Sequence, residues 1–348
     1  MASRNLFRQN WGWSGGLGLF LFVFLVFYPD QSSKGIILEQ FNRQLYSQNP
    51  VAFAGLFRIL DFLTNGNQLG FEIIFFGLLS ILWAMVALRW ATLLKPNEAA
   101  SAWIVFLVIC NPMALDFHVL ASRHSYSLAL FFLAASFTKA PWSWGSACLF
   151  VLSIGFHYST LPLVLFFILF RGWGEFSIQR GRRVLAGITV ISFVALLLFT
   201  HTRLAESIPD ALYKKRFISA NSELVNEYRG PKVGQPWEVG FFNHESHVQW
   251  FYLGAAFGIS WLLLRIEKQD YLGPNGVPMM LAALGCVVFF NAYPGSNRFL
   301  YAVLIPGMIY VPMIFVQHLD QLVKWPTSRV TVSLVCTVIF IVNLMVYT

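Results

Sequence analysis

Residues 71 to 88 read FEIIFFGLLSILWAMVAL, and only Glu72 in this run carries a charge. A run of about 18 to 20 apolar residues is long enough to cross the hydrocarbon core of a bilayer as one α-helix. Comparable apolar runs, with charged residues grouped at their ends, cover 15–28, 184–200 and 330–347. The chain is therefore predicted to be an all-α polytopic membrane protein.

The remaining apolar runs predict seven further spans. They cover about 101–116, 122–138, 142–156, 158–170, 248–264, 277–292 and 299–316. Together with the four runs above, they predict about eleven transmembrane helices. We expect a single integral-membrane domain over residues 1–348. No small-residue cleavage site follows Tyr28, so we interpret the first run as a retained anchor and not as a signal peptide.

Charge supports the same class of protein. Only 11% of the residues are charged, whereas soluble domains average about 25%. If the N-terminus is cytoplasmic, the chain obeys the positive-inside rule and its whole net charge of +8 lies on the cytoplasmic side. The excess of Lys and Arg over Asp and Glu then reflects the membrane topology and gives no support for nucleic-acid binding. Two long hydrophilic segments, about 30–69 and 201–247, fall on the outer face.

No metal or cofactor is expected. The four cysteines lie inside apolar spans without Cys-x-x-Cys spacing, which predicts small core residues; they are Cys110, Cys148, Cys286 and Cys336. His244-Glu245-Ser246-His247 lacks the two-residue gap of the zinc-protease motif. The outer segment that contains it is a candidate lid over a site.

Ionisable residues gather at the outer face. The stretch 99–138 is barely long enough for two spans, and Asn111-Pro112 in its middle disfavours a continuing helix. We therefore expect its turn to dip toward the membrane. Four ionisable side chains would then line a shallow recess: Asp116, His118, Arg123 and His124. The simpler alternative is an Asp116–Arg123 ion pair that closes the turn.

Two further candidates lie at tight outer turns. Phe156-His157-Tyr158-Ser159 joins two apolar runs with no hydrophilic loop between them. Imidazoles exchange protons near neutral pH, so His157 is a candidate base or ligand, and an interfacial histidine is the alternative. Arg298 begins a span after the Pro294-Gly295 turn. It is a candidate cation for a ligand, with snorkelling to the interface as the alternative.

The first outer segment is predicted to form a surface helix. Asn49-Pro50 favours a helix start with Asn as N-cap and Pro at the first helical position. The apolar stripe that follows is expected to pack at the membrane interface; it consists of Phe53, Leu56, Phe57 and Leu60. Arg58 beside this stripe is a weaker candidate for substrate contact. Arg43 and Tyr46 upstream are weaker still.

Outer-face arginines with one histidine suit a phosphorylated lipid, because guanidinium forks match phosphate oxygens. No Gly-rich phosphate loop is present, so a cytosolic nucleotide is not the expected substrate. Glycosyl transfer from a lipid diphosphate needs one base for the acceptor hydroxyl and positive charge for the leaving group. It does not need the paired carboxylates of glycoside hydrolysis.

Three motifs in order resemble those of the EpsG family, which belongs with the Wzy-like polysaccharide polymerases. They are Arg123-His124-Ser125-Tyr126-Ser127-Leu128-Ala129-Leu130, Phe156-His157-Tyr158-Ser159 and Arg298-Phe299-Leu300-Tyr301. The chain is also similar in length, in span count and in its outer segment Phe41-Asn42-Arg43-Gln44-Leu45-Tyr46. The likeness covers most of the chain. It implies a metal-independent glycosyltransferase of the bacterial inner membrane, with a periplasmic site.

The resemblance also implies substrates and residue roles. Undecaprenyl-diphosphate-linked oligosaccharides would be joined into O-antigen, capsule or exopolysaccharide, with membrane lipid and a chain-length regulator as candidate partners. The implied catalytic residues are His157, Arg123 and Arg298. The implied substrate-binding residues are Arg58, Arg43, His124, Tyr301, Asp116, Tyr158 and Tyr46. His124 stands where the family usually has Gln or a similar residue, so either histidine is a candidate base, and we favour His157.

Two other classes remain open. A flippase for lipid-linked sugars would be expected to show internal symmetry and charges near the bilayer midplane. A membrane O-acyltransferase of the same glycans would also use a histidine, but it needs an acyl donor route from the cytoplasm. The sequence has no internal repeat and its polar residues crowd one face. We therefore favour the glycosyltransferase.

Overall fold

The computed structural model describes residues 2–27, 41, 50–93, 98–110, 115, 118, 122–137, 143–172 and 273–289, with scattered positions in 181–191 and 334–345. All regular secondary structure in this part of the chain is helical, which confirms the all-α class there. Its helices are α1 (Ala2–Phe27), α2 (Val51–Thr64), α3 (Gln68–Leu93), α4 (Glu98–Cys110), α5 (Ser122–Phe137), α6 (Trp144–Phe156), α7 (Thr160–Gly172) and α8 (Gly273–Phe289).

The chain forms two compact units. The first contains Met1–Val164, Asp270–Asn275 and Met308–Thr348, and the second contains Leu165–Gln269 and Gly276–Gly307. Helices α1 to α6 belong to the first unit. All the described residues of the candidate site lie in that unit.

Most described helices match the predicted apolar runs to within a few residues. The run 71–88 lies inside α3, and α5 covers all but the last residue of the run 122–138. The first helix differs, because α1 begins at Ala2 and the predicted span is only its second half. The predicted spans 184–200, 248–264, 299–316 and 330–347 lie wholly or largely outside the described residues, as does the candidate lid 201–247.

One helix in the described part is long and apolar enough to cross a membrane by itself. It covers Gln68–Thr92, which is 25 residues. Shorter apolar helices cover Ser14–Phe27, Trp144–Phe156 and Thr160–Arg171. A bilayer core takes about 20 helical residues, so the topology of about eleven spans stays a prediction.

Helix α3 contacts four other helices of the first unit: α1, α2, α4 and α5. Its buried face is rich in aromatic rings, which supply large apolar contact areas; Phe71, Phe75, Phe76, Trp83 and Trp90 are buried. Against α1, small residues allow close approach. A Cβ at Gly18 would lie 3.1 Å from the Cβ of Ala84, and the Ser14 hydroxyl donates to the Ala84 carbonyl at 2.7 Å. An apolar groove of about 580 Å³ lies between α1 and α3.

Helix α2 confirms the predicted helix but starts one residue later. Pro50 is the N-cap, with φ −53° and ψ 148°, and Val51 is the first helical residue. The chain reverses after α2 at Asn65 and Gly66, whose φ values of 49° and 75° are left-handed. Asn67 then caps α3, since its Oδ1 accepts from the Gly70 N–H at 3.1 Å.

The apolar stripe of α2 packs on protein. Phe53, Phe57 and Leu60 are buried, and α2 contacts α3 and α6. The expectation that this stripe faces the membrane interface was wrong, because aromatic rings of α3 and α6 cover it. A different apolar set of α2 is exposed instead: Val51, Ile59, Phe62 and Leu63.

Candidate functional site

Three helix ends meet at the candidate site: the start of α2, the start of α5 and the end of α6. Gly155 in the last turn of α6 allows α2 to approach, because a Cβ there would lie 2.9 Å from the Cβ of Ala52. Non-bonded Cβ atoms essentially never approach so closely. The ring centroids of Phe53 and Phe156 are 6.1 Å apart across the same contact. The helix ends thus hold residues from separate sequence motifs together.

Aromatic rings form the floor of this site. The rings of Tyr126 and Phe156 are stacked at 5.4 Å, and Phe53 contacts Phe75 edge to face at 5.9 Å. The Tyr126 hydroxyl donates to the Phe75 carbonyl. The half-buried guanidinium of Arg123 lies 5.9 Å from the Phe53 ring centroid, within cation–π range. The floor therefore places a cation next to apolar surface.

His124 and His157 lie side by side. Their ring centroids are 4.9 Å apart and the rings are nearly perpendicular, at 88°. The hydroxyl oxygen of Ser159 lies 2.6 Å from Nδ1 of His157 and 3.0 Å from Nδ1 of His124. The backbone N–H of Ser159 also donates to Nδ1 of His157 at 3.3 Å. One serine therefore bridges two histidines that come from different helices.

A buried hydroxyl cluster fixes the hairpin that carries His157. The Ser127 hydroxyl of α5 donates to the Ser153 carbonyl at 2.6 Å, and its oxygen is 2.6 Å from Thr160 Oγ1. Ser153 returns a bond to the Ser127 carbonyl at 2.8 Å, and the Thr160 hydroxyl donates to the His157 carbonyl. The three hydroxyl residues are buried. Because the cluster joins α5, α6 and α7, it sets the position of the histidine pair.

His118 does not line an open recess, contrary to the sequence expectation. Its side chain is 0% exposed, and its ring centroid is 4.8 Å from that of Trp83. Nδ1 lies 2.8 Å from the Ser125 hydroxyl, which also accepts from the Trp83 indole N–H at 2.8 Å. Burial lowers the pKa of His118 to about 3. His118 is thus a neutral core residue that joins α3 to α5.

The structure brings together part of the predicted site. His124 and His157 are in contact, although His124 is only 1% exposed, and the Arg123 guanidinium lies over the Phe53 ring of α2. Tyr158 follows His157 and is 59% exposed. Arg58 lies on the exposed part of α2, away from the buried face that carries Phe53. Five predicted residues lie outside the described residues, so the Asp116–Arg123 pair also stays a prediction; they are Arg43, Tyr46, Asp116, Arg298 and Tyr301.

Sequence reasoning missed the hydroxyl groups that organise the site. Ser127 and Ser159 lie in two of the quoted motifs without an assigned role, and Ser153 and Thr160 lie inside predicted apolar spans. Their signal was present, since a hydroxyl inside an apolar helix needs a hydrogen-bond partner. What the sequence lacked was the knowledge of which helices pair.

Possible metal ligands are sparse in the part of the chain that the structure describes. No three His, Cys, Asp or Glu side chains are grouped there in a way that would hold an ion. Cys110 and Cys286 are buried as predicted, whereas Cys148 is exposed, because the buried face of α6 carries Ser146, Phe150 and Ser153 instead. Cys336 lies outside the described residues.

Comparisons of the chain with models of protein families, with curated proteins and with solved structures find no match. The residues, their geometry and the motif resemblance therefore carry the functional interpretation.

Proposed function

We propose that the protein is a polysaccharide polymerase of a bacterial inner membrane. It joins undecaprenyl-diphosphate-linked oligosaccharide repeat units by glycosyl transfer at the periplasmic face. In this proposal the chain spans the membrane about eleven times with a cytoplasmic N-terminus. The long hydrophilic segments 30–69 and 201–247 are expected on the same, outer face of the membrane as the site.

The observation that carries the proposal is the contact between His124 and His157 through Ser159, with Arg123 next to His124 at the start of α5. His124 and His157 come from two of the three motifs that resemble the EpsG family, and these two motifs are separated in sequence. The hydrogen bonds of Ser159 link the two histidines, and Arg123 lies on the same helix end. A histidine pair beside a half-buried guanidinium is unnecessary for packing, since apolar residues would fill the same space without desolvating polar groups.

The chemistry of glycosyl transfer matches these groups. The acceptor hydroxyl attacks the anomeric carbon as the bond to the diphosphate oxygen breaks. The leaving diphosphate takes the electron pair of that bond, and the acceptor loses its proton to a base. Arg123 would stabilise the charge on the departing diphosphate through bidentate hydrogen bonds. The histidine pair would supply the base.

Residues outside this centre complete the proposal from sequence. Arg298 is expected to share the diphosphate with Arg123. The remaining candidates are assigned to substrate contact: Arg58, Arg43, Tyr46, Asp116, Tyr158 and Tyr301. The proposal involves no metal and no cofactor.

The test is polymer formation by the purified protein. The protein in nanodiscs is incubated with a lipid-diphosphate-linked repeat unit from its own host, and the products are separated on a gel. Wild type is expected to give a ladder. Arg123→Ala is expected to lower the rate about 100- to 1000-fold, the usual loss when one stabilising donor is removed. The matched control is Arg183→Ala, because Arg183 is exposed and the predicted topology puts it in a cytoplasmic loop, on the opposite side from the proposed site.

Two outcomes would contradict the proposal. One is an unchanged ladder from correctly inserted Arg123→Ala protein, which would remove Arg123 from the site. The other is the absence of any ladder together with movement of the lipid-linked sugar across proteoliposome membranes, which would indicate a flippase.

A further inference from the structure

We propose that Ser159 holds the two histidines in complementary tautomers, so that His157 donates a hydrogen bond to the diphosphate while His124 accepts the proton. These separate roles of the two histidines rest on the proposed function. It assigns the base to His124, whereas the sequence favoured His157. Ser159 acts as a positioning residue for both rings.

The tautomer of His157 follows from a backbone group. The N–H of Ser159 points at Nδ1 of His157 at 3.3 Å, and an amide N–H donates but never accepts. A proton on Nδ1 would therefore face another proton. Nδ1 must carry the lone pair, and in a neutral imidazole the hydrogen is then on Nε2.

The hydroxyl of Ser159 fixes the tautomer of His124 as well. Its oxygen is 2.6 Å from the same Nδ1 of His157, so the single hydroxyl hydrogen points there. The oxygen then faces Nδ1 of His124 at 3.0 Å with only acceptor capacity left. His124 must donate from Nδ1, which leaves its own lone pair on Nε2.

The two rings consequently offer opposite groups. His157 is half-buried at the end of α6 and offers an N–H, which suits an anionic oxygen. Arg123 is also half-buried and is a donor only, so it suits the same oxygens. The lone pair of His157 on Nδ1 already accepts from Ser159. The lone pair on Nε2 of His124 therefore serves as the base. The diphosphate therefore belongs with His157 and Arg123, and the acceptor hydroxyl belongs with His124.

The reaction balances on this assignment. The acceptor oxygen forms a bond to the anomeric carbon, and its proton moves to Nε2 of His124. The bond from the anomeric carbon to the diphosphate oxygen breaks, and that oxygen keeps the electron pair. His157 and Arg123 hydrogen-bond the anion, and His124 later returns the proton to water. Since His124 is 1% exposed in the free protein, the proposal requires the residues that cover Nε2 of His124 to move when the acceptor binds.

The test is nitrogen NMR of the full-length protein in nanodiscs with 15N-labelled histidine. Long-range proton–nitrogen correlation distinguishes protonated from bare ring nitrogens, and His157→Gln and His124→Gln assign the signals. At a pH where both rings are neutral, we expect bare Nδ1 on His157 and bare Nε2 on His124. A protonated Nδ1 on His157 or a bare Nδ1 on His124 would overturn the proposal.

Variants of Ser159 test whether this residue fixes the tautomers of the two histidines. Ser159→Ala is expected to give mixed tautomers on His124, and Ser159→Thr is expected to restore the single tautomer. Ser136→Ala is the matched control, because the Ser136 hydroxyl donates to the Leu133 carbonyl of its own helix. A single His124 tautomer retained in folded Ser159→Ala protein would refute the role of Ser159. If that variant does not fold, the wild-type spectrum still decides the tautomers.

The spectra separate this inference from the proposed function. If the tautomers were as expected but the ladder assay gave no polymer, the polymerase and the two catalytic roles would be refuted. Only the assignment of the tautomers would stand. A ladder from protein with the opposite tautomers would refute the assignment of His124 as base and leave the polymerase intact.

Discussion

Helices α3 and α5 both have a buried face, but different contacts hold the two faces. Helix α3 packs through aromatic rings such as Phe75 and Trp83, whereas α5 begins with polar residues whose groups are hydrogen-bonded inside the protein. Apolar packing tolerates substitutions of similar volume. A buried hydrogen bond does not tolerate the loss of one partner, because the other is left unsatisfied. Apolar packing accounts for the buried residues of α3. The polar residues at the start of α5 are better explained by a role in positioning the site residues.

The largest stability effect is expected in the hydroxyl cluster. Ser127→Ala removes a hydroxyl that contacts the Ser153 carbonyl and Thr160 Oγ1. We expect the free energy of unfolding to fall by about 1–3 kcal/mol, because these groups stay buried without their partner. Thermal unfolding in detergent measures it.

The matched apolar change is Leu79→Met on α3, since Leu79 is fully buried. Its cost should stay below about 1.5 kcal/mol, because the volume is conserved. If Leu79→Met cost more than Ser127→Ala, the contrast between the two helices would be wrong.

His118 extends the comparison, because it joins α3 to α5 and its contribution to the free energy of unfolding depends on pH. Its pKa is about 3 in the folded protein against an ordinary value of 6.5. Between these values only the unfolded state binds the proton, so stability is retained above pH 6.5 and lost as pH falls toward 3. One proton gives a slope of at most about 1.4 kcal/mol per pH unit.

Thermal unfolding of wild type and His118→Gln at pH 7.5 and 5.5 measures this slope. The variant should lose less stability on acidification than wild type does. Equal losses would show that His118 contributes nothing to the pH dependence.

A smaller effect is expected where α2 meets α6. Gly155→Ala places a methyl group 2.9 Å from Ala52 Cβ, and we expect a loss of about 1 kcal/mol as α2 moves away. Gly145→Ala on the same helix meets open space. It should be neutral or stabilising by up to about 1 kcal/mol, since alanine favours helix. Equal unfolding temperatures for both variants would contradict the close contact.

The sequence predicted the helices well, because long apolar runs have few alternatives. The bounds of α3 and α5 lie within a few residues of the predicted runs. It also selected Arg123 and His157, whose charge or proton exchange makes them unusual in an apolar chain. It did not reveal that the α2 stripe faces protein, that His118 is buried, or that Ser159 bridges two histidines. These features depend on which helices pair, and periodicity within one helix does not contain that information.

The central claim is that the start of α5 and the His157 hairpin form an active site. The most direct test compares stability and polymer formation in the same nanodisc preparation of His124→Gln. Glutamine keeps a hydrogen-bonding side chain of similar length but cannot take up a proton, so we expect the protein to stay folded, with the free energy of unfolding lower by at most about 1–3 kcal/mol, and the product ladder to be lost. A ladder of wild-type intensity from correctly inserted His124→Gln protein would contradict the claim and leave the polar cluster with a structural role only.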